Sequence, residues 1–173
     1  MPITVTNTDL DGVLLIKPGI FEDHRGMYVE TYNIEDYNKN GIKIKFVRDD
    51  ISTSTKNVLR GLHYDDKTWK LIQCMYGKIH FVVADMRKDS KQYLKWVSFL
   101  LTSENREQVL VPPGFANGHL VLSDSCIFHY KMSEYYDPEN EMGVKWDDPK
   151  LNIFWPLKDP VLSLKDSSSK YLQ

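Results

Sequence analysis

Val58-Leu59-Arg60-Gly61-Leu62-His63-Tyr64 reads as a buried strand that carries an arginine and a histidine among apolar residues. Side chains alternate faces along a strand, so Arg60, Leu62 and Tyr64 point one way and Leu59, Gly61 and His63 the other. Strict alternation therefore separates Arg60 from His63. A bulge at Gly61 would bring them to one face, because a glycine inside a strand marks a kink or a close backbone approach. Lys70, Tyr130 and Asp166 sit in patterns that suggest convergence on the same place, which makes the stretch a candidate site as well as a piece of core.

Outward from this strand, short apolar runs recur. Residues 13–17 form one that Pro18-Gly19 ends, and residues 27–32 form another after the polar turn Phe21-Glu22-Asp23-His24-Arg25-Gly26. Asn33 can cap a short helix through Tyr37, with Glu35 and Asp36 in its first turn and Gly41 at its end. Ile42, Ile44 and Phe46 then alternate with Lys43, Lys45 and Val47, the pattern of a strand with one wet face. Downstream, residues 71–75, 78–85, 96–101, 109–111, 119–122 and 127–132 are strand-like, punctuated by Tyr76-Gly77 and Pro112-Pro113-Gly114. Many short strands with a few short helices predict an all-β, jelly-roll sandwich or barrel. The part from Asp137 onward, rich in Pro, Trp and Asp, is expected to wrap it as ordered loops and short turns.

At 173 residues, 42% hydrophobic and 27% charged, the chain suits one domain over residues 1–173 with a sizeable core. A formal net charge of -2 and the lack of like-charge runs give no footprint for nucleic acid. A small anion held by a few local arginines fits better. No apolar run reaches the roughly 18 residues of a membrane span, and Met1-Pro2-Ile3-Thr4 is no signal segment, so no membrane partner and a cytoplasmic location are expected. Cys74 and Cys126 lie in separate apolar runs and read as core packing in a reducing compartment.

Five histidines raise the question of a metal. A barrel metal site usually needs two histidines one residue apart with a carboxylate, and one more on a later strand. His63 has no histidine neighbour in Tyr64-Asp65, and the later turn reads Gly114-Phe115-Ala116-Asn117-Gly118-His119. A trio of His63, Asp65 and His119 stays open, but the expectation is chemistry without a metal or cofactor. His63 alone fits a hydrogen-bonded core residue as well as a base. A carboxylate such as Asp166 would fix its tautomer and raise its basicity. Lys70 fits an exposed strand edge or a buried cation, and Tyr130 a core aromatic or an acid. Together a base, a buried cation and a phenol suit proton abstraction beside a carbonyl, with the cation stabilising the enolate and the phenol returning a proton to the opposite face.

Phe21-Glu22-Asp23-His24-Arg25-Gly26, Leu59-Arg60-Gly61-Leu62-His63-Tyr64, Lys70-Leu71, Pro113-Gly114-Phe115-Ala116, Leu122-Ser123, Tyr130-Lys131, Trp146-Asp147-Asp148-Pro149, Trp155-Pro156 and Leu162-Ser163-Leu164-Lys165-Asp166 occur in order. In these marks the chain, from about Gly12 to Asp166, resembles the dTDP-4-dehydrorhamnose 3,5-epimerase family of cupin-fold, metal-free nucleotide-sugar epimerases. The resemblance implies His63 as base, Asp166 as its orienting partner, Lys70 facing the sugar 4-keto oxygen and Tyr130 as acid for carbon 5. It makes Arg25 and Arg60 clamps on the diphosphate. Phe21, Glu30, Tyr136 and Glu141 would line the nucleotide-sugar pocket. It also implies a homodimer in which the N-terminal part of one subunit completes the other's site.

Departures from the family pattern bear on the substrate. The thymidine-sugar enzymes usually carry a glutamine and an asparagine where this chain reads Phe46-Val47-Arg48-Asp49-Asp50. Their Gly-Phe-Ala-His-Gly-Phe becomes Gly114-Phe115-Ala116-Asn117-Gly118-His119, and Ser167 stands where an arginine often follows. Arg48 and Asp50 change the hydrogen-bonding pattern of the pocket, and an acid could accept from guanine. The expected substrate is therefore a GDP-4-keto-heptose for capsular polysaccharide, with Arg48, Asp50, Asn117 and His119 among its contacts. A dTDP-4-dehydro-6-deoxyglucose 3,5-epimerase, a carbon-3-only epimerase and a sugar ketoisomerase are the alternatives.

Overall fold

The computed structural model describes residues 2–173. Its strands are β1 (Thr4–Asn7), β2 (Leu14–Lys17), β3 (Ile20–Asp23), β4 (Gly26–Val29), β5 (Arg48–Thr55), β6 (Leu59–Tyr64), β7 (Lys70–Tyr76), β8 (Lys78–Asp85), β9 (Trp96–Thr102), β10 (Gln108–Val111), β11 (Phe115–Val121), β12 (Ser125–Met132) and β13 (Met142–Gly143). Two short helices, α1 (Ile34–Lys39) and α2 (Leu164–Ser167), complete the described elements. The strands make a six-stranded sheet ordered β1-β2-β10-β7-β12-β5, a five-stranded sheet ordered β13-β6-β11-β8-β9, and a separate β3-β4 hairpin.

The two larger sheets face each other across one apolar layer. Ile72, Cys74 and Val109 of the first share a buried cluster with Ile79, Phe81, Leu101 and Phe115 of the second. A second cluster, on the far side of the five-stranded sheet, joins Leu59, Leu62 and Leu120 to Val144, Leu151 and Trp155 of the C-terminal segment. That segment thus wraps the sheet as its composition predicts. Both cysteines are free and buried. The nearly all-β jelly-roll expectation holds, but the barrel is open: among the described residues no strand of one large sheet pairs with the other. The β5 edge, where closure would be needed, borders a cavity instead.

Helix α1 forms as its sequence dictates, with the Asn33 side chain accepting from the Glu35 amide at 3.0 Å and Gly41 following at φ +85°. Residues 42–47 do not form the expected strand. Their burial alternates, but Ile42, Ile44 and Phe46 pack against Tyr37, Ile16 and Leu71 without a ladder partner. Packing alone produces the period-2 pattern there, and pairing starts only at Arg48, where β5 meets β12. The turn expected over residues 21–26 is tighter than its composition suggests, since Phe21 to Asp23 belong to β3 and the chain reverses between Asp23 and Gly26.

At the centre of the five-stranded sheet, β6 carries a bulge against β11. Arg60 lies opposite His119 and His63 opposite Asn117, so three steps on β6 match two on β11. Gly61 sits at φ +124°, and a Cβ there would lie 2.7 Å from the Gly118 Cα. Gly118 is equally confined, with its own would-be Cβ 2.8 Å from the Arg60 carbonyl oxygen. With Leu62 buried in the second cluster, the extra residue turns both Arg60 and His63 toward the space between the sheets.

This crossing gives a stability test. Gly61→Ala combines a positive φ with a backbone clash and should cost about 2 kcal/mol or more, read as a lower midpoint in urea unfolding. A change within about 0.5 kcal/mol, ordinary for a surface site, would contradict the close approach.

Candidate active site

A cavity of about 750 Å³ lies between the sheets. The five-stranded sheet contributes Arg60 and His63 from β6 and Asn117, Gly118 and His119 from β11. The six-stranded sheet contributes Arg48, Asp50 and Ser52 from β5, Lys70 and Ile72 from β7, and Phe128, Tyr130 and Met132 from β12. The sets from the six-stranded sheet follow strand periodicity, each lining residue two positions from the next on its strand.

His63 Nε2 lies 2.6 Å from Asp166 Oδ1. Asp166 is 3% exposed and sits in α2, whose cap Ser163 accepts from the Asp166 amide at 3.0 Å. Burial raises the Asp166 pKa, but hydrogen bonds from His63, Ser163 and the Gly61 amide outweigh it, and the group ends below the ordinary carboxylate value. An ionised Asp166 accepts the Nε2 proton and leaves the Nδ1 lone pair free. Nδ1 lies 3.7 Å from Glu141 Oε1. Glu141 directly precedes β13, which pairs with His63 and Tyr64 of β6.

Across the cavity, Lys70 is mostly buried, its side chain 15% exposed, with Asp65 Oδ2 3.9 Å away. Burial pulls its pKa below the ordinary lysine value against the opposing pull of Asp65 and Glu141, with Arg48 adding to the lowering. Burial, helped by Asp50, pushes the Tyr130 phenol up, so it holds its proton at neutral pH. Tyr130 lies opposite Asp50 in the β12-β5 register.

His119 stacks on Phe128 with ring centroids 4.1 Å apart, and its buried Nε2 has no partner. Burial, with the charge of Arg60, depresses its pKa to about 3, which keeps the imidazole neutral. Asn117 donates its side-chain amide to the His63 carbonyl at 3.0 Å, bracing the strand that carries the histidine. Arg60 reaches across to β5 and donates from Nε to Ser54 Oγ at 2.9 Å. Arg48 Nε lies 3.1 Å from Asp50 Oδ2, and its guanidinium stands 5.6 Å from the Tyr136 ring centroid. Among the described residues no group of three His, Cys, Asp or Glu side chains is gathered as a metal cradle, so His63, Asp65 and His119 do not meet as one.

Of the expected site residues, eleven line this cavity: His63, Lys70, Tyr130, Asp166, Arg48, Asp50, Arg60, Asn117, His119, Tyr136 and Glu141. Phe21 and Arg25 do not; they border a small cleft on the β3-β4 hairpin, where Arg25 pairs with Asp23 at 2.7 Å. Glu30 is outside the cavity too, within 3.3 Å of the Asn33 amide. Sequence reasoning missed Lys67 and Lys165 at the cavity wall. Lys165 stands beside Asp166 in the same quoted run, and its proximity was the available signal. Among the described residues no helix is long and apolar enough to cross a membrane.

The family model described as dTDP-4-dehydrorhamnose 3,5-epimerase matches residues 7–173. The dTDP-4-dehydrorhamnose 3,5-epimerase of Methanothermobacter thermautotrophicus is 42% identical over 171 residues, covering 96% of this chain and 92% of the relative. A crystal structure of the Bacillus anthracis str. Ames enzyme of that name, with TDP and PPi bound, superposes with a TM-score of 0.95 at 38% identity, covering 98% of this chain and 99% of that one. The Legionella pneumophila dTDP-6-deoxy-D-glucose-3,5-epimerase, in complex with dTDP-4-keto-L-rhamnose, gives a TM-score of 0.93 at 39% identity, covering 98% and 92% of the two chains. Fold and relatives together define an isomerase, an epimerase of nucleotide-linked sugars. The chain belongs to the dTDP-4-dehydrorhamnose 3,5-epimerase family.

The expected GDP-4-keto-heptose branch, and with it the capsule role, is not supported. These relatives are named for thymidine-linked sugars. There is a physical reason as well: Asp50, the acid expected to accept from guanine, is already in ion-pair contact with Arg48.

The buried lysine makes a prediction. A cation whose pKa is lowered by burial costs the fold stability, and removing it for an apolar side chain of similar length relieves that cost. Lys70→Met should raise the free energy of unfolding by about 1 kcal/mol, read as a higher midpoint in urea, while abolishing turnover. Between its lowered folded pKa and the ordinary lysine value the unfolded chain binds more protons, so wild-type stability rises with pH across that window. The variant should lack this rise, and a loss of stability in Lys70→Met would contradict the assignment.

Proposed function

We propose that the protein is a dTDP-4-dehydro-6-deoxyglucose 3,5-epimerase working by proton transfer through an enolate. The observation that carries this reading is the division of labour across the cavity: the His63–Asp166 dyad stands on the five-stranded side, while Lys70 and Tyr130 stand on the six-stranded side. His63 Nδ1 takes the proton from the carbon beside the 4-keto group, and Asp166 stabilises the imidazolium that forms. Lys70 faces the oxygen that becomes negative and donates a hydrogen bond to it. Tyr130 returns a proton to the opposite face of the same carbon, inverting it. The sequence then repeats at the second carbon. These steps use no cofactor and no metal. Arg60 and, from a neighbouring subunit, Arg25 hold the diphosphate.

We also propose a homodimer in which the β3-β4 hairpin enters the partner's cavity. The hairpin joins neither large sheet, and it leaves Phe21 55% and Tyr28 66% exposed. Arg25 lies outside its own chain's cavity.

Incubation in deuterium oxide with dTDP- and GDP-linked 4-keto sugars, read by NMR, tests the reaction. The expected result is two deuterons in the dTDP sugar, at carbons 3 and 5. One deuteron at carbon 3 identifies a single epimerase, a displaced carbonyl a ketoisomerase, and preference for the GDP sugar a different base specificity. Tyr130→Phe should slow inversion at both carbons, by about a hundredfold for a lost general acid; wild-type inversion at either carbon would remove that role there.

Mixing Arg25→Ala with His63→Asn subunits tests the dimer. If hairpins cross over, heterodimers regain one intact site and activity returns to two inactive proteins. A mixture that stays inactive despite subunit exchange would mean each chain builds its own site.

A further inference from the structure

One base serving two carbons must lose its first proton before it can take the second. Nε2 of His63 is held by Asp166 at 2.6 Å, so every abstracted proton arrives on Nδ1. Asp166, 3% exposed and accepting several hydrogen bonds, is already committed as an ionised partner to Nε2. The group that faces Nδ1 is Glu141, whose Oε1 lies 3.7 Å away, less than an ångström beyond hydrogen-bond reach. Its other oxygen, Oε2, is held at 2.5 Å by Lys165, whose side chain is 60% exposed. One carboxylate therefore links the base to solvent at the cavity mouth.

We propose that Glu141 discharges His63 between the two inversions, acting as the proton relay that resets the base. This rests on the epimerase reading above. In the first abstraction the C–H bond breaks, N–H forms at Nδ1, and the electron pair moves to the carbonyl oxygen facing Lys70. Tyr130 then protonates the carbon from the other side. While the sugar turns to present its second carbon, Nδ1 is uncovered. Its proton passes to Glu141 Oε1 and on to water, the imidazole is neutral again, and Tyr130 regains its proton from water. Lys165 holds the carboxylate in place from the mouth, so Glu141 hands the proton on to water rather than keeping it.

Glu141→Gln keeps the size of the side chain and removes its capacity to accept a proton. With the ketosugar that the wild type converts, in deuterium oxide, exchange at the second carbon relative to the first should fall about tenfold or more in the variant, as for a lost general base. Added acetate should restore the second exchange with increasing concentration, and Glu141→Asp should retain part of it. Wild-type rates at both carbons, equal loss at both, or a loss that acetate leaves in place would overturn the relay. Absence of deuterium in the wild-type product would instead overturn the epimerase reading itself, so the two failures are separable.

Discussion

The backbones of β6 and β11 touch at Gly61 and Gly118, and the rest of the site depends on that contact. Neither position has room for a Cβ, because the nearest atoms of the opposing strand are themselves backbone. The approach makes room for one extra residue on β6, and the extra residue breaks the alternation that would have sent Arg60 and His63 to opposite faces. The same turn aims the Gly61 amide at Asp166, so the bulge positions the histidine and helps ionise its partner. Asn117, opposite His63 in the register, ties the carbonyl of the histidine from the neighbouring strand. A histidine set this way rests on two strands and a capped helical turn, which limits its motion more than a loop would.

The two walls of the cavity treat charge differently. On the six-stranded side burial raises the Tyr130 pKa and lowers that of Lys70. The depressed pKa of His119 keeps another potential cation neutral on the opposite wall. Against that background Asp166 is the buried group supplied with enough donors to stay charged. The proposed reaction needs this asymmetry. An enolate forms most easily where a poorly hydrated cation is aimed at the oxygen that becomes negative, and an acid that keeps its proton until the enolate forms does not quench the base beforehand.

Much of this was legible in the chain because the decisive signals are local. The glycine inside Leu59-Arg60-Gly61-Leu62-His63 announced a bulge, Asn33 announced a helix start, and the separated apolar runs announced a two-sheet fold. What misled was pattern without partner. Residues 42–47 alternate as a strand does, yet strand pairing needs a free edge beside it, and sequence periodicity reports burial only. The hairpin was hidden by its polar composition, and α2 by its four residues. Arg48 and Asp50 were read as independent contacts for a base, whereas they stand as an ion pair 3.1 Å apart in which Arg48 Nε makes no hydrogen bond. Which charges neutralise one another is a property of the folded arrangement.

That last pair ties recognition to chemistry. Asp50 lies directly opposite Tyr130 on the neighbouring strand, and its charge is among the causes that push the phenol's pKa up. Arg48 acts on the same phenol in the opposite sense. The two members of the pair therefore oppose each other at the phenol. A nucleotide that drew Arg48 toward its own phosphates would leave Asp50 less compensated, strengthening the hold of Tyr130 on its proton. One that left the pair intact would keep the acid ready to transfer. The residues that depart from the usual glutamine-and-asparagine pattern thus act on the Tyr130 phenol across a single strand pairing.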